Sequence, residues 1–337
     1  MLESVPPFVP VLVAAAIAAV APRKVGHAVG FLATAAVTVG VLLLPDGTLI
    51  AGQLFGFETV LYGVDDFSRL MGLIFGLIGA AAVLYSYSSE ADGKQTAAAL
   101  GYVGTSLGAV FAGDWLTLVF FWELMAVTST LLVWYYGGRA VRTGFRYALA
   151  HGIGGTLVLG AVVWQYVEVG SFLFGAATGV VGPVAPVLMA VGIGVNVGFI
   201  GLHTWLPDTY PSPHIAASVF LCVYTTKTGV YAMFRAFPEG NLWIAYMGGA
   251  MAVFGASMAL LQEDMRRLLS YHIISQVGYM VAGVGIMSDL ATAGAFGHVF
   301  NHILYKALLF MSIGVVIYRT GIEDITEVGG LWKVMPV

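Results

Sequence analysis

The sequence contains few charged residues and a single cysteine, and these two shortages exclude several classes of protein. Only 9% of the 337 residues are charged. A soluble domain carries about 25% charged residues, so a soluble globular protein is excluded. Hydrophobic residues make up 59% of the chain, which also excludes a disordered protein, because disorder combines low hydrophobicity with high charge. Cys222 alone provides neither a disulfide framework nor a cysteine-based metal site.

Basic residues are also scarce, and the familiar motifs of soluble catalysis are missing. The 14 Lys and Arg residues are scattered along the chain, which excludes nucleic acid as a partner. The sequence holds no P-loop, no GxSxG motif and no HExxH motif. We therefore predict that the chain is not an enzyme, requires no cofactor and binds no metal.

Long apolar stretches are what the sequence has in abundance. Continuous runs favour membrane-spanning helices over barrel strands, which alternate in short pieces. The 44 glycines suit helices that pack closely in lipid. We predict an all-α polytopic membrane protein with about eleven transmembrane helices, each of roughly the length that crosses a bilayer. The predicted spans are 8–21, 27–44, 66–88, 96–112, 115–136, 144–168, 182–205, 212–236, 242–262, 268–287 and 295–318.

The basic residues of the loops separate onto the two sides of this predicted topology. Because cytoplasmic loops carry an excess of Lys and Arg, the richer side is predicted to be cytoplasmic. This orientation places the N-terminus outside the cell (inner or plasma) membrane and the C-terminus in the cytoplasm. The poorer side holds Arg69 and Arg235. The richer side holds Arg23, Lys24, Lys94, Arg139, Arg142, Arg146, Arg266, Arg267, Arg319 and Lys333.

Three ionisable residues, Glu123, Lys227 and Lys306, lie near the centres of predicted spans. A charge at the bilayer centre costs roughly 2.5–3.5 kcal/mol on insertion scales. Three such residues at one depth predict a polar pathway or proton relay, and a structural Glu–Lys pair that fixes helix packing is the alternative. His151, early in the sixth span, is a further candidate for the pathway because it could lie near Glu123.

A ladder of His298, His302 and Lys306 is predicted along one helix face. Their spacing of four residues confines the three side chains to about 80° of the helix circumference. Histidine can pass protons in both directions near neutral pH, and a desolvated lysine can exchange a proton. A His–Lys metal site is disfavoured because no carboxylate or cysteine falls on the ladder. Hydrogen-bonded core histidines remain the alternative.

The segment HTWLPDTYPSPH, between the seventh and eighth spans, contains three prolines that interrupt any helix. It also brings His203, Asp208 and His214 close together in sequence. At the predicted cytoplasmic side, these three residues form a candidate access site for protons. The alternative is a rigid connecting loop in which Asp208 caps a helix.

Four long motifs follow one another in the chain: DWLTLVFFWELMAV, LHTWLPDTYPSPHIAASVFLCVYTTKTGVYAMFR, LLQEDMRRLLSYHIISQVGYM and HVFNHILYKALLFMSIG. Together they resemble the antiporter-like subunits shared by respiratory complex I, membrane-bound hydrogenases and Mrp-type multisubunit Na⁺/H⁺ antiporters. The resemblance runs from about residue 60 to the C-terminus. The proline-containing loop and the TTKTG run are most similar to the D-type subunits of the Mrp antiporters.

The resemblance implies both a fold and a set of roles. The family has about fourteen helices and two inverted five-helix repeats, each with a broken helix. Residues 1–95 would then form N-terminal helices, 96–240 the first repeat and 241–337 an incomplete second repeat. In the family, the positions that match Glu123, Lys227 and the His298–His302–Lys306 ladder form a hydrated proton path along the middle of the membrane.

Two departures from the family pattern affect these expectations. Asn196 stands where the family usually has a lysine, seven residues before the histidine of LHTWLP. Asn196 can hydrogen-bond water but cannot carry a proton charge, so either Lys227 would substitute or this half would conduct weakly. The sequence also ends at GGLWKVMPV, where the family would begin its twelfth span. Another polypeptide would then supply the missing C-terminal helices, or that half would be lost.

The resemblance implies a membrane subunit of a multisubunit cation/proton antiporter or a related proton-translocating complex. Its partners would be other membrane subunits, lipid, protons and a cation, with Na⁺ and K⁺ both open. One alternative is a structural or coupling subunit that conducts no ions. Another is a membrane-arm subunit of a complex I-like redox enzyme or of an inorganic-carbon uptake complex.

Overall fold

The computed structural model describes residues 5–333 and residue 335, and helices account for most of them. Two strands follow the second helix. The helices of the described residues are α1 (Phe8–Val20), α2 (Arg23–Gly40), α3 (Asp66–Ser88), α4 (Gly93–Phe111), α5 (Trp115–Trp134), α6 (Arg139–Val169), α7 (Ala185–Val197), α8 (Trp205–Thr209), α9 (Ile215–Leu221), α10 (Tyr224–Ala236), α11 (Leu242–Leu260), α12 (Met265–Ile286) and α13 (Asp289–Thr320).

The predicted helical membrane fold is confirmed. Within the described residues, seven helical segments are long and apolar enough to cross a membrane, and two shorter apolar helices, Phe8–Val20 and Ala185–Val197, accompany them. Every predicted span contains helix. The number of eleven crossings stays a prediction, because only seven helical segments of the described residues have the length and hydropathy expected of a span.

A β-hairpin between α2 and α3 departs from the all-helical expectation. Strand β1 (Gly47–Leu54) pairs antiparallel with β2 (Phe57–Val64). The two turn residues, Phe55 and Gly56, have φ angles of 53° and 86°. Positive φ at both central positions is the geometry of a tight two-residue hairpin turn. The loop between the second and third predicted spans is therefore an ordered two-stranded element.

Asp114 joins this hairpin to the start of α5. Its fully buried carboxylate accepts hydrogen bonds from the Val60 N–H at 2.7 Å, the Thr117 N–H at 2.8 Å and the Thr117 hydroxyl at 2.6 Å. As the N-cap residue, it satisfies a backbone donor that the first helical turn leaves free. One side chain thus fixes both the helix start and the position of β2.

Replacement of Asp114 by alanine is expected to destabilise the protein by about 2 kcal/mol or more, because buried donors on Val60 and Thr117 lose their acceptor. The measurement is the thermal unfolding midpoint of the purified protein in detergent. Asp114→Asn is the matched control, since its amide oxygen still accepts at the N-cap and the loss should be smaller. Equal midpoints for Asp114→Ala and the parent protein would contradict the proposed anchoring role.

The centre of the molecule is the pair α9 and α10, whose apolar stretch is completely buried by the rest of the chain. The other candidate spans leave part of their surface exposed. Around this centre, α11 and α12 pack with close backbone contact, since a Cβ placed on Gly248 or Gly255 would collide with the backbone of Ala282 or Ser275. Small residues permit this approach in helical membrane proteins. The central span is therefore the segment most shielded by the rest of the chain.

The segment after α13 is held against the helices by the ion pairs of Glu323 with Arg139 and Arg266, which we call the clamp. The two carboxylate oxygens of Glu323 accept from Arg266 at 2.6 Å and from Arg139 at 2.9 Å. Burial raises the pKa of this carboxyl, but the charges and hydrogen bonds of the two guanidinium groups outweigh burial, so the pKa of Glu323 lies below its usual value. Arg266 also donates to the Pro213 carbonyl at 2.8 Å. The clamp thus connects α6, α12, the loop before α9 and the C-terminal segment.

Candidate functional site

The eighth predicted span is interrupted at its middle. Residues 212–236 contain α9 and α10, separated by Cys222 and Val223. Lys227 is completely buried, and its ammonium donates to the Cys222 carbonyl at 2.6 Å. A helix break frees backbone carbonyls that need a donor in the absence of water. The lysine that the sequence singled out is therefore held at a helix break inside the protein.

Hydroxyl groups from two neighbouring helices surround the same break. Tyr102 of α4 accepts the Thr225 N–H at 2.8 Å, and its oxygen also lies 2.5 Å from the Thr225 hydroxyl. Tyr147 of α6 donates to Ser129 at 2.9 Å and lies 3.2 Å from the Thr225 hydroxyl. These bonds satisfy polar groups that burial would otherwise leave without partners. A continuous polar network therefore reaches α10 two residues before Lys227.

Lys306 has a different set of partners. It is completely buried in α13, and its ammonium nitrogen lies 3.2 Å from the Leu269 carbonyl and 2.8 Å from Nδ1 of His272. His272, on α12, was not among the predicted site residues. The sequence carried a weak signal for it, because His272, Gln276 and Tyr279 follow one face of a helix at intervals of four and three residues.

The two ladder histidines lie on the side of α13 that faces the protein. His302 has no exposed surface, and neither ring nitrogen has a hydrogen-bond partner among the described residues. Its ring lies 6.0 Å from that of the half-buried His298. His302 is within electrostatic range of Lys227, Lys306, His298 and His272. The structure thus brings these five residues together, and we call them the buried His–Lys cluster.

His151 and Asn196 form a second polar pair. Nδ1 of His151 lies 3.0 Å from the amide oxygen of Asn196, and Nε2 is buried without a partner among the described residues. The imidazole lies between the rings of Tyr147 and Trp205, at 4.1 Å and 4.5 Å. Tyr147 also approaches Thr225, so this pair is connected through one tyrosine to the break that holds Lys227.

Glu123 lies apart from the lysines. Its half-buried carboxylate contacts the backbone of Gly155 on α6, one helical turn from His151. Among the described residues Glu123 makes no ion pair. The structural Glu–Lys pair considered from the sequence therefore does not form in this structure, because Glu123 contacts α6 while Lys227 contacts the break between α9 and α10.

The seventh predicted span, 182–205, extends beyond the helix that the structure shows, Ala185–Val197. Helix α7 ends at Val197 because Gly198 takes a left-handed conformation, with φ of 80°. The indole of Trp205 then donates to the Val195 carbonyl at 2.9 Å, near the end of the helix. The apolar run continues past the true helix end, which is why hydropathy alone did not locate it.

The three residues of the predicted access site have separate contacts. His203 is buried, with its ring 4.8 Å from that of Phe254 on α11. Asp208 pairs with Arg146 at 3.1 Å. His214 is the N-cap of α9, where its Nδ1 accepts the Ala216 N–H at 3.2 Å. The capping role considered for Asp208 belongs to His214, and the access site itself stays a prediction.

The fold and the buried polar residues on its interrupted helices define a polytopic helical membrane protein of the antiporter-like class. The chain belongs to the NADH:quinone oxidoreductase/Mrp antiporter transmembrane family, whose model matches residues 112–337. The resemblance stated from the sequence motifs is thereby confirmed at family level.

Relatives from two branches of the family are similar to this chain. The D subunit of the Na(+)/H(+) antiporter from Alkalihalophilus pseudofirmus is 30% identical over 297 residues, which cover 81% of this chain and 59% of the relative. The N subunit of the NADH-quinone oxidoreductase from Desulforudis audaxviator is 28% identical, over 98% of this chain and 73% of the relative. A chain in the structure of the Mrp complex from Dietzia sp. DQ12-45-1b superposes with a TM-score of 0.88 and 26% identity, covering 98% of this chain and 39% of that chain. These names describe subunits of an antiporter, of an oxidoreductase and of the Mrp complex, and this chain spans only part of the length of each relative.

Proposed function

We propose that this chain is a proton-translocating membrane subunit of a multisubunit cation/proton antiporter of the Mrp type, or of a closely related complex. The observation that supports the proposal most strongly is the buried His–Lys cluster. Two lysines and three histidines occur together there, and the hydrogen bonds of the lysines go to backbone carbonyls and to one histidine.

The composition of this cluster favours proton exchange over a purely structural role. A buried ammonium is costly unless an anion balances its charge, and neither Lys227 nor Lys306 forms an ion pair among the described residues. Groups that repel one another titrate together, so a proton taken up at one position changes the cost of holding a proton at the next. Imidazoles without fixed partners, such as His302, can accept and release protons between the lysines.

The proposed route runs along the centre of the membrane domain. Protons from the cytoplasm reach the region of His203 and His214, pass to Lys227 and continue through His302 to Lys306. The His151–Asn196 pair approaches the same helix break through Tyr147, whose ring packs on His151 and whose hydroxyl lies 3.2 Å from that of Thr225. Glu123, His298 and Asp208 complete the set of predicted pathway residues. Coupling is electrostatic and involves no covalent chemistry.

Asn196 has a defined consequence in this proposal. It cannot ionise, so the pair that it forms with His151 carries at most the histidine's proton. Lys227 lies on α10, which packs against α7 beside Asn196, and is then the lysine that serves this half in transport. The cytoplasmic side is the side rich in Lys and Arg, as the distribution of loop charges predicts.

The proposal is tested by proton flux into vesicles that contain the intact purified complex. Lys306→Met is expected to lower the flux at least about tenfold, since a lost proton donor or acceptor commonly costs more than this. Lys94→Met, at an exposed position outside the cluster, is the matched control and should transport normally. Normal flux in a fully assembled Lys306→Met complex would overturn the proposal.

A second candidate function is that of a non-conducting coupling subunit, and Asn196 is the observation that favours it. A chain that has replaced an ionisable residue by an amide, and whose Glu123 makes no ion pair among the described residues, would serve as a scaffold for conducting subunits. The same scaffold could also belong to a redox enzyme or an inorganic-carbon uptake complex. Identification of the co-purifying chains separates these assemblies, because redox subunits, a soluble zinc protein or small Mrp subunits would each be recognisable.

A further inference from the structure

His272 has the shortest contact to Lys306 in the described structure. Nδ1 of its ring lies 2.8 Å from the lysine ammonium nitrogen, compared with 3.2 Å for the Leu269 carbonyl. At this separation, one hydrogen bond joins the two nitrogens. A charged Lys306 donates to an unprotonated Nδ1, which leaves the histidine proton on Nε2. The pair therefore joins two titratable groups directly, on two different helices.

The second ring nitrogen of His272 faces a different environment. His272 is half-buried, and its Nε2 bonds to no described residue and is not enclosed by the protein. His302, by contrast, is enclosed at both ring nitrogens. One side of the His272 ring thus contacts the buried lysine, and the other reaches the accessible surface of α12.

We propose that His272 is the proton-carrying residue that connects Lys306 to the accessible surface of α12, an inference that rests on the proposed function. In the forward step, the N–H bond of the Lys306 ammonium breaks and its electron pair stays on Nζ. The lone pair of Nδ1 takes the proton, and the resulting imidazolium releases its other proton from Nε2 to a water molecule. No electron is transferred, and a flip of the neutral ring, or exchange of its proton from Nδ1 to Nε2 through water, resets the histidine for the next proton.

The surroundings of His272 support a proton-transfer role. The charged or titratable groups facing it are Lys306 and His298 of α13, with Lys227 and His302 beyond them. Tyr305, whose ring lies 6.4 Å from that of His272, donates its hydroxyl to Gln276 at 2.9 Å and so holds the neighbouring turn of α12 in register. Because no carboxylate is among these groups, a proton on the pair is not trapped by a fixed anion.

His272 differs from the ladder histidines in how it contacts Lys306. His298 and His302 lie on the same helix as Lys306, and neither makes a hydrogen bond to its ammonium. His272 makes that bond from the adjacent helix. The position of α12 against α13 therefore sets the distance over which the proton moves, and a movement of about 1 Å between the two helices would interrupt transfer.

The test compares variants at position 272 in the intact complex, reconstituted in vesicles with a pH-sensitive dye. His272→Gln keeps a hydrogen-bond acceptor for Lys306 but cannot carry a proton, so the flux should fall about tenfold or more. His272→Asn provides a second acceptor variant in case the glutamine variant does not assemble. Tyr246→Phe, on the adjacent helix α11 and largely exposed, is the control outside the cluster and should retain wild-type flux.

Flux at the wild-type level in assembled His272→Gln would overturn the inference while leaving the proposed function intact, provided that Lys306→Met still loses flux. Absence of flux in the wild-type complex would overturn both. Carbethoxylation of the wild-type complex with diethyl pyrocarbonate gives a readout that needs no variant. Peptide mass spectrometry should find His272 modified before the enclosed His302, with flux falling in step, and modification of His272 at constant flux would contradict the assignment.

Discussion

Substitution of Lys227 by methionine is expected to lower proton transport about a hundredfold, within the range by which a positioned proton donor or acceptor accelerates transfer. Lys227 is completely buried at the break between α9 and α10, in the segment that the rest of the chain shields most. Its ammonium donates to the Cys222 carbonyl, whereas Lys306, the other lysine of the cluster, bonds to Leu269 and His272 on α12, so we expect that Lys306 does not replace it.

The same substitution should leave the complex about as stable as the parent protein, because two effects oppose each other. Methionine cannot donate to the Cys222 carbonyl, and a buried carbonyl without a donor costs about 1–3 kcal/mol. The variant also no longer bears the desolvation cost of a buried ammonium without a carboxylate partner, which is several kcal/mol. A variant that is inactive yet melts normally would separate loss of the proton carrier from loss of structure.

Lys227→Arg is the informative companion variant. Arginine restores a positive charge and hydrogen-bond donors at the break, but its guanidinium does not release a proton in proteins. Transport should therefore stay as low as in Lys227→Met, and Lys24→Met at the exposed start of α2 should transport normally. Near-normal flux in Lys227→Arg would show that the position needs only a charge, and the proton-carrier role would then be wrong.

Features that depend only on the residue order within a single helix could be predicted from the sequence. The depth of Lys227 and Lys306 follows from their positions within apolar runs, and the common face of His298, His302 and Lys306 follows from helical spacing. All three residues lie on the single helix α13, where His302 and Lys306 have no exposed surface. Their role in proton transport stays a prediction.

Features that depend on the register between two elements were not predictable from the sequence. The contact of His272 with Lys306 is fixed by how α12 packs against α13, and the separation of Glu123 from Lys227 is fixed by how α5 packs on α6. Glycine at position 198 ended α7 inside an apolar run. The hairpin before α3 was missed because its short strands carry no long hydrophobic signal.

The close packing of α11 on α12 predicts a large effect on stability. Gly248 of α11 faces α12 so closely that an added Cβ would lie 2.6 Å from the Gly278 carbonyl and would also collide with the backbone of Ala282. Both obstacles are backbone atoms, which cannot move aside as a flexible side chain does. Gly248→Leu should therefore force the two helices apart and destabilise the protein by about 3 kcal/mol or more.

The adjacent glycine provides the matched control. A Cβ on Gly249 would meet no atom within 4 Å, and this residue is exposed on the outer face of α11. Leucine is favoured over glycine in a helix by nearly 1 kcal/mol, so Gly249→Leu should melt at the parent temperature or slightly above it. Thermal unfolding of both variants in the same detergent makes the comparison, and equal midpoints would show that the α11–α12 contact is not tightly packed.

The Gly248 variant also connects stability with transport. Helix α12 carries His272, so displacement of α12 by the leucine would change the distance between Nδ1 of His272 and the ammonium of Lys306. The smaller change Gly248→Ala already places the colliding Cβ against the backbones of Gly278 and Ala282, so it should displace α12 and lower the melting temperature, by less than leucine does. If His272 carries the proton, the Gly248→Ala complex should transport protons more slowly than the parent complex, at a temperature at which both remain folded. Unchanged flux at a lowered melting temperature would show that transport does not depend on the α12–α13 distance.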